Sequence, residues 1–223
     1  MSQGTTPDLF GATTGAAGTG EREPLSEGAW VLRGFALDAA PVLLQAVDDM
    51  VQASPFRHLI TPGGFRMSVA MTNCGRLGWV SDRRGYRYDA LDPGSGHPWP
   101  AMPQSFTRLA ARAAEEAGYA GFDPDACLIN RYEPGSRLTL HQDRDEARLV
   151  APIVSVSLGV PATFLWGGLE RGGRSQRVGL RHGDVVVWGG PSRMRFHGIA
   201  PLKPGWHPAT GELRINLTFR CAG

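Results

Sequence analysis

The sequence predicts a mainly β protein of the α+β class, with an eight-stranded jelly-roll core and flanking N-terminal helices. Three observations point there. From Asp125 to the C-terminus the chain breaks into short alternating or apolar runs separated by Gly and Pro turns. Two helical stripes lie upstream, one starting near Asp38 and one near Pro103. Eight short strands in succession are the pattern of two packed antiparallel sheets.

The elements follow in order. Residues 1–22 are rich in Gly, Thr and Ala without periodicity and are expected to be a disordered tail. The first helix is expected to be capped by Asp38 and to tolerate Pro41 in its first turn. It presents Leu43, Leu44, Val47, Met50 and Val51 at helical spacing before Ser54-Pro55 stops it. Residues 56–100 read as strands and turns punctuated by Gly63-Gly64, Gly75, Gly78, Gly85 and Pro93-Gly94. A second helix is expected from Pro103 to Ala117, with Phe106, Leu109, Ala113 and Ala117 on one face and Gly118 ending it. Strands are then expected at 126–132, 137–141, 153–158, 162–166, 176–181, 184–188, 193–198 and 212–220.

Composition sets bounds. The 223 residues suffice for one sizeable core, and 42% hydrophobic with 20% charged is ordinary globular usage. No apolar run approaches the roughly 20 residues of a membrane span, and no signal peptide is visible. Cys74, Cys127 and Cys221 are odd in number and widely spaced, as expected of reduced thiols in a cytoplasmic protein. The net charge is +2, yet Arg57 to Arg87 holds six arginines and a single acid, Asp82. Trp79, Tyr86 and Tyr88 interleave with them, and guanidiniums among aromatics suit phosphates and bases.

The chemistry centres on Leu140-His141-Gln142-Asp143-Arg144-Asp145-Glu146. On an extended segment His141 and Asp143 share a face, roughly 7 Å apart at Cα. A third ligand is available at His197. Two histidines and a carboxylate form the facial triad of non-haem Fe(II) oxygenases, which leaves positions open for co-substrate and oxygen. At the C-terminus, Arg214, Asn216, Thr218 and Arg220 alternate with Ile215, Leu217 and Phe219. If the strand is buried, two guanidiniums on one face call for an anion, and a dicarboxylate such as 2-oxoglutarate would satisfy them; the alternative is an exposed strand whose arginines are solvated.

His141-x-Asp143, His197 and Arg214-x-Asn216-x-Thr218-x-Arg220, in that order, resemble the AlkB family of Fe(II)- and 2-oxoglutarate-dependent nucleic-acid demethylases. Ser54-Pro55-Phe56-Arg57, Thr61-Pro62-Gly63-Gly64, Met67 to Gly75, Pro98 to Pro103, Leu128 to Tyr132 and Val185 to Gly190 carry the same likeness. The resemblance runs from about Glu23 to the end. It implies a double-stranded β-helix and one dioxygenase domain over 23–223, with a nucleotide-recognition lid at 55–100 and a catalytic core at 125–223. It implies Fe(II) on His141, Asp143 and His197, and 2-oxoglutarate contacts from Asn130, Tyr132, Arg214, Asn216 and Arg220, with the far carboxylate on Arg220. It further implies substrate contacts from Trp79, Tyr86, Tyr88, Asp145 and Arg171. A carboxylate at Asp145 would favour a cationic, methylated base over the neutral one; the alternative there is a solvated acid paired with Arg144 or Arg148. The reaction implied consumes O2 and removes methyl groups from 1-methyladenine and 3-methylcytosine in single-stranded DNA, with RNA a further partner, and a monomer suffices. Two rival readings remain at this level: a hydroxylase of a small molecule or protein with the same iron centre, and a zinc-loaded binding module.

Overall fold

The computed structural model describes residues 21–223. The expected tail therefore lies almost wholly outside the described residues, although Arg22, inside its boundary, already opens a strand. In chain order the elements are β1 (Arg22–Ser26), β2 (Ala29–Leu32), α1 (Ala40–Ala53), β3 (Arg57–Ile60), β4 (Arg66–Gly75), β5 (Gly78–Asp82), β6 (Gly85–Asp89) and α2 (Gln104–Glu116). There follow β7 (Ala126–Tyr132), β8 (Leu138–His141), β9 (Ile153–Gly159), β10 (Ala162–Trp166), β11 (Gln176–Leu180), β12 (Val185–Trp188), β13 (His197–Ile199) and β14 (Arg214–Arg220).

Strands β7 to β14 are the eight of the jelly roll. They divide between a large sheet containing β12-β9-β14-β7 and a small one ordered β11-β10-β13-β8. The large sheet is extended at one end by β2 and β1 and at the other by β4 and β3, for eight strands in all. Its spine is β14, paired antiparallel to β9 on one side and to β7 on the other, with Asn216 opposite both Asn130 and Ser157.

Each strand's alternation assigns its faces. Ile215, Leu217 and Phe219 join Val154, Val156 and Leu158 in the core beneath α1 and α2. That core takes Leu43, Val47 and Met50 from α1 and Phe106, Leu109 and Ala113 from α2. Burying each of the larger side chains contributes about 1.5–3 kcal/mol, which is why two short helices without side-chain caps hold their places. A second core, between the sheets, is built on Trp188, Phe164, Trp166, Leu180 and Ile199. No helix among the described residues is long and apolar enough to cross a membrane.

Three expectations change. The N-cap of α1 is Ala39 and not Asp38, so the helix starts one residue late, with Pro41, needing no N–H partner, in its first turn as expected. The stretch 193–198 is a strand only from His197; a single 3-10 turn over Gly190–Ser192, opened by Gly190 at φ +50°, precedes it and residues 193–196 are turn and irregular chain. The 55–100 segment, read as one lid region, divides between two sheets. Its β3 and β4 belong to the large sheet, where β4 pairs with β7, and only the β5–β6 hairpin forms a separate layer.

Candidate metal centre and its surroundings

The strand β8 ends at His141, and Asp143 lies just beyond it, off the ladder. Its neighbour β13 is brought alongside so that His197 stands directly across from His141. The two imidazoles are 4.5 Å apart between ring centres. His141 Nε2 is 3.6 Å from Asp143 Oδ1, and His197 Nε2 is 3.7 Å from Oδ2. Residues more than fifty positions apart thus place three ligand atoms within 4.8 Å of one another.

The tautomers are set by the backbone. His141 Nδ1 donates to Thr139 O at 2.8 Å and His197 Nδ1 to Arg195 O at 3.1 Å, which leaves both Nε2 lone pairs facing the carboxylate. Burial, followed by the neighbouring His141, pushes His197 down to about 4, so it stays neutral and able to ligate near neutrality. Asp143 is ionised. Burial alone would raise its carboxyl, but Arg220 and then the two histidines outweigh that and hold it well below the usual range. The donor set of two neutral imidazoles and one carboxylate fits a divalent iron with coordination positions to spare.

Behind the triad runs a buried ionic network. Arg220 donates through Nε and Nη2 to Asp143 Oδ2, at 2.9 and 2.7 Å. Its Nε also lies 3.2 Å from Glu146 Oε1. Arg193 donates to Glu146 Oε2 at 3.1 Å, to Asp143 O at 2.6 Å and to Ala151 O at 3.0 Å. Gln142 ties the same loop to Met194 O at 2.6 Å. Glu146, Arg193 and Gln142 were not singled out from the sequence. The only signal was that Gln142 and Glu146 lie in the His141 stretch; Arg193 falls in a segment that reads as an ordinary strand.

The other end of β14's inner face is different in character. Arg214 is 1% exposed, and burial pulls its guanidinium below the usual range. It donates to Ser157 Oγ at 3.0 Å and lies 4.9 Å from the Tyr132 ring centre, while Nε and Nη1 have no protein partner. Asn216 is held by Ser155 Oγ at 2.8 Å and Val156 O at 2.9 Å. Asn130 donates to Asn216 Oδ1 at 3.2 Å, and its own Oδ1 is also without a partner. Arg214, Tyr132, Asn216, Asn130 and Ser155 line one cavity of about 600 Å³ that also contains the triad. A buried cation with two unsatisfied donors is the receptor for an acid group, so the cavity fits a dicarboxylate that stretches from the metal to Arg214. Arg220, read from the sequence as the far-carboxylate residue, donates twice to Asp143, whereas Arg214 carries two donors without a protein partner.

The hairpin β5–β6 covers the cavity mouth. Trp79 and Tyr86 stack at 5.5 Å with 13° between their planes, and both line the cavity. Trp79 Nε1 donates to Asp145 Oδ2 at 3.0 Å, so Asp145 pairs with neither Arg144 nor Arg148. Arg171 borders the mouth with its guanidinium 5.4 Å from the Phe196 ring centre. Tyr88 is not among the lining residues. Its hydroxyl donates to Glu146 Oε1 at 2.8 Å, which makes it an anchor of the hairpin and not a base contact. The arginine cluster is also largely spent: Arg57 pairs with Asp92, Arg76 with Asp125, and Arg84 and Arg87 with Asp82. Arg66 and Arg83 alone of the six lack a carboxylate partner among the described residues.

Comparison with known proteins agrees with this geometry. Residues 28–220 match the model of the 2OG-Fe(II) oxygenase superfamily. The chain is 60% identical to the alpha-ketoglutarate-dependent dioxygenase AlkB of Escherichia coli, over 91% of this chain and 94% of that one. It is 33% identical to the mouse nucleic acid dioxygenase ALKBH1, over 60% of this chain and 33% of the relative. A solved structure titled "The structure of OsALKBH1" superposes with a TM-score of 0.77 at 28% identity, covering 90% of this chain and 99% of that one. The chain belongs to the 2OG-Fe(II) oxygenase superfamily and, within it, to the AlkB family of dioxygenases that depend on Fe(II) and 2-oxoglutarate.

Proposed function

We propose that this protein is an oxidative demethylase that repairs 1-methyladenine and 3-methylcytosine in single-stranded DNA, and in RNA. In this reading residues 23–223 act as a single dioxygenase domain, as a cytoplasmic monomer. All three cysteines are free thiols, which supports a reducing setting. The single observation that carries the substrate class is the aromatic hairpin: Trp79, stacked on Tyr86 and bonded to Asp145, opens onto the same cavity as His141, Asp143 and His197.

His141, Asp143 and His197 would hold Fe(II). Together with 2-oxoglutarate, bound iron supplies the activation of O2 and the oxidation of a methyl C–H bond, with succinate and CO2 as co-products. The chain's own groups do the rest. Arg214 takes the far carboxylate of 2-oxoglutarate on its unpaired Nε and Nη1, with Asn130 and Tyr132 closing around it. Arg220 fixes the rotation of Asp143, so the carboxylate meets the metal in one orientation. Methylation at N1 of adenine or N3 of cytosine leaves a cationic base, which the Asp145 carboxylate at the mouth prefers over the neutral one. The reactive methyl lies on the Watson–Crick edge, so the base must leave its stack, and the Trp79 ring offers it a new face. The hydroxymethyl group left on nitrogen then departs as formaldehyde, restoring the base.

The test is iron-loaded protein with 2-oxoglutarate and an oligonucleotide bearing 1-methyladenine or 3-methylcytosine. Formaldehyde should appear only with the methylated strand and vanish in His141→Ala. Succinate formed while the strands stay methylated would end the demethylase reading and leave a hydroxylase of another substrate.

A further inference from the structure

Among the described residues, five arginines without a carboxylate partner cluster on and beside the small sheet, against two, Arg66 and Arg83, in the 57–87 stretch. Arg137, Arg144, Arg171, Arg174 and Arg177 have no carboxylate within ion-pair distance among the described residues. The acids of the same segment are mostly occupied: Asp143 and Glu146 face Arg220 and Arg193, and Asp145 accepts from Trp79.

A second cavity, of about 660 Å³, collects part of this charge. Alternation along β10 places it. Phe164 and Trp166 point into the core between the sheets, so Leu165 points to the reverse face, and its cross-strand partner there is Arg177 of β11. Leu165 and Arg177 both line the second cavity, together with Arg137 and Arg171, and Glu170 is its one acid. The floor between β10 and β11 is glycine: Gly167, Gly168, Gly172 and Gly173. Gly172 and Gly173 have positive φ and open space where a side chain would stand, so another backbone can approach closely. Arg137 and Arg171 border both this groove and the triad cavity, so the two are continuous.

We propose that the groove on the reverse face of the small sheet is a track for the phosphodiester backbone, taking the strand that runs on from the nucleotide in the active site. Arg171 stands at the junction and Arg137 and Arg177 along the path. The inference rests on the demethylase reading for its substrate, and the charge argument is independent of it: guanidiniums on a glycine floor pair with phosphates without reading sequence. It extends the nucleic-acid footprint well beyond the single base, on the side opposite the hairpin.

The experiment uses Arg177→Glu, an exposed substitution outside the triad cavity, with Arg177→Lys as the conservative variant. Binding of a labelled, unmethylated 15-mer is followed by fluorescence anisotropy across a salt series. Arg177→Glu should weaken it several-fold and flatten the log–log salt dependence by about 0.7 per lost phosphate contact, and Arg177→Lys should restore most of both. Turnover is then compared for a trinucleotide with central 1-methyladenine and for strands extended only 5′ or only 3′ of the lesion. Arg177→Glu should raise KM, with kcat unchanged, for one extension only and leave the trinucleotide untouched. Wild-type affinity and salt slope in Arg177→Glu would overturn the track. A wild-type enzyme that binds the 15-mer through Arg177 yet releases no formaldehyde from the trinucleotide or from either extended strand would overturn the demethylase reading and leave the track standing.

Discussion

Arg220 grips Asp143 by one oxygen, donating to Oδ2 through both Nε and Nη2 while Oδ1 faces His141. The pair is nearly solvent-free, so neither charge is tolerable without the other. Arg220→Leu should therefore cost about 3–5 kcal/mol in the metal-free protein. For a chain of this size that is a fall of roughly 10 °C in Tm. Added Mn(II) should recover part of the loss by supplying Asp143 with a cation, whereas Glu146 keeps Arg193 throughout. Melting curves with and without the ion check both statements.

Arg214 gives the opposite result. It is buried, donates to a single serine hydroxyl and is held below its usual range by burial. Removing it as Arg214→Met should leave Tm in the absence of 2-oxoglutarate unchanged or raised. The same variant should lose about 2–5 kcal/mol of co-substrate binding, a KM for 2-oxoglutarate raised by about thirtyfold to several thousandfold. A Tm collapse with unchanged KM would assign Arg214 a structural role instead.

Gly198 sits between His197 and Ile199 where β13 crosses β8. A Cβ there would lie 2.5 Å from Leu138 O and 3.1 Å from Thr139 O, both backbone atoms that cannot swing aside. Gly198→Ala should push β13 off β8 and part His197 from His141. Loss of Mn(II) affinity measured by titration, with the far-ultraviolet circular dichroism retained, is the expected outcome.

His182 and His207 stack face to face at 4.2 Å, and Gly159 N–H donates to His182 Nδ1 at 2.9 Å. Burial, and then His207, lowers the His182 pKa in the folded protein. The unfolded chain consequently binds the proton better, so stability is lost as pH falls below about 6.5 and is fully present above it. His197 acts in the same direction, so the informative quantity is a difference. Tm should fall less between pH 7.5 and 5.5 in His182→Asn, which keeps an acceptor for Gly159, than in the wild type.

The legible parts of this molecule are those with a local period. The faces of β14 could be assigned from the alternation of Arg214, Asn216, Thr218 and Arg220 with Ile215, Leu217 and Phe219, because burial on both faces leaves no freedom of register. The triad was legible as residue types, and its closure followed from the eight-stranded pattern. Contacts that depend on which carboxylate a given arginine finds were not. Nothing in the spacing says that Arg76 and Arg87 are spoken for while Arg177 is left free, or that Arg220 and Arg214 divide the work as they do. Nor could Tyr88 be told from Trp79 and Tyr86: cross-strand neighbours in one hairpin, they part only when Glu146 rises beneath one of them.

That phenol has a mechanical meaning. With the foot of the hairpin pinned inside the protein by Glu146, β5 and β6 cannot swing away as a flap. In the demethylase proposed above, an incoming base would be admitted by side chains, with Trp79 surrendering its hold on Asp145 at the moment that carboxylate is needed elsewhere. Entry and recognition would then be a single exchange of partners at one acid, and a neutral base that offers Asp145 nothing in return would leave the indole where it was.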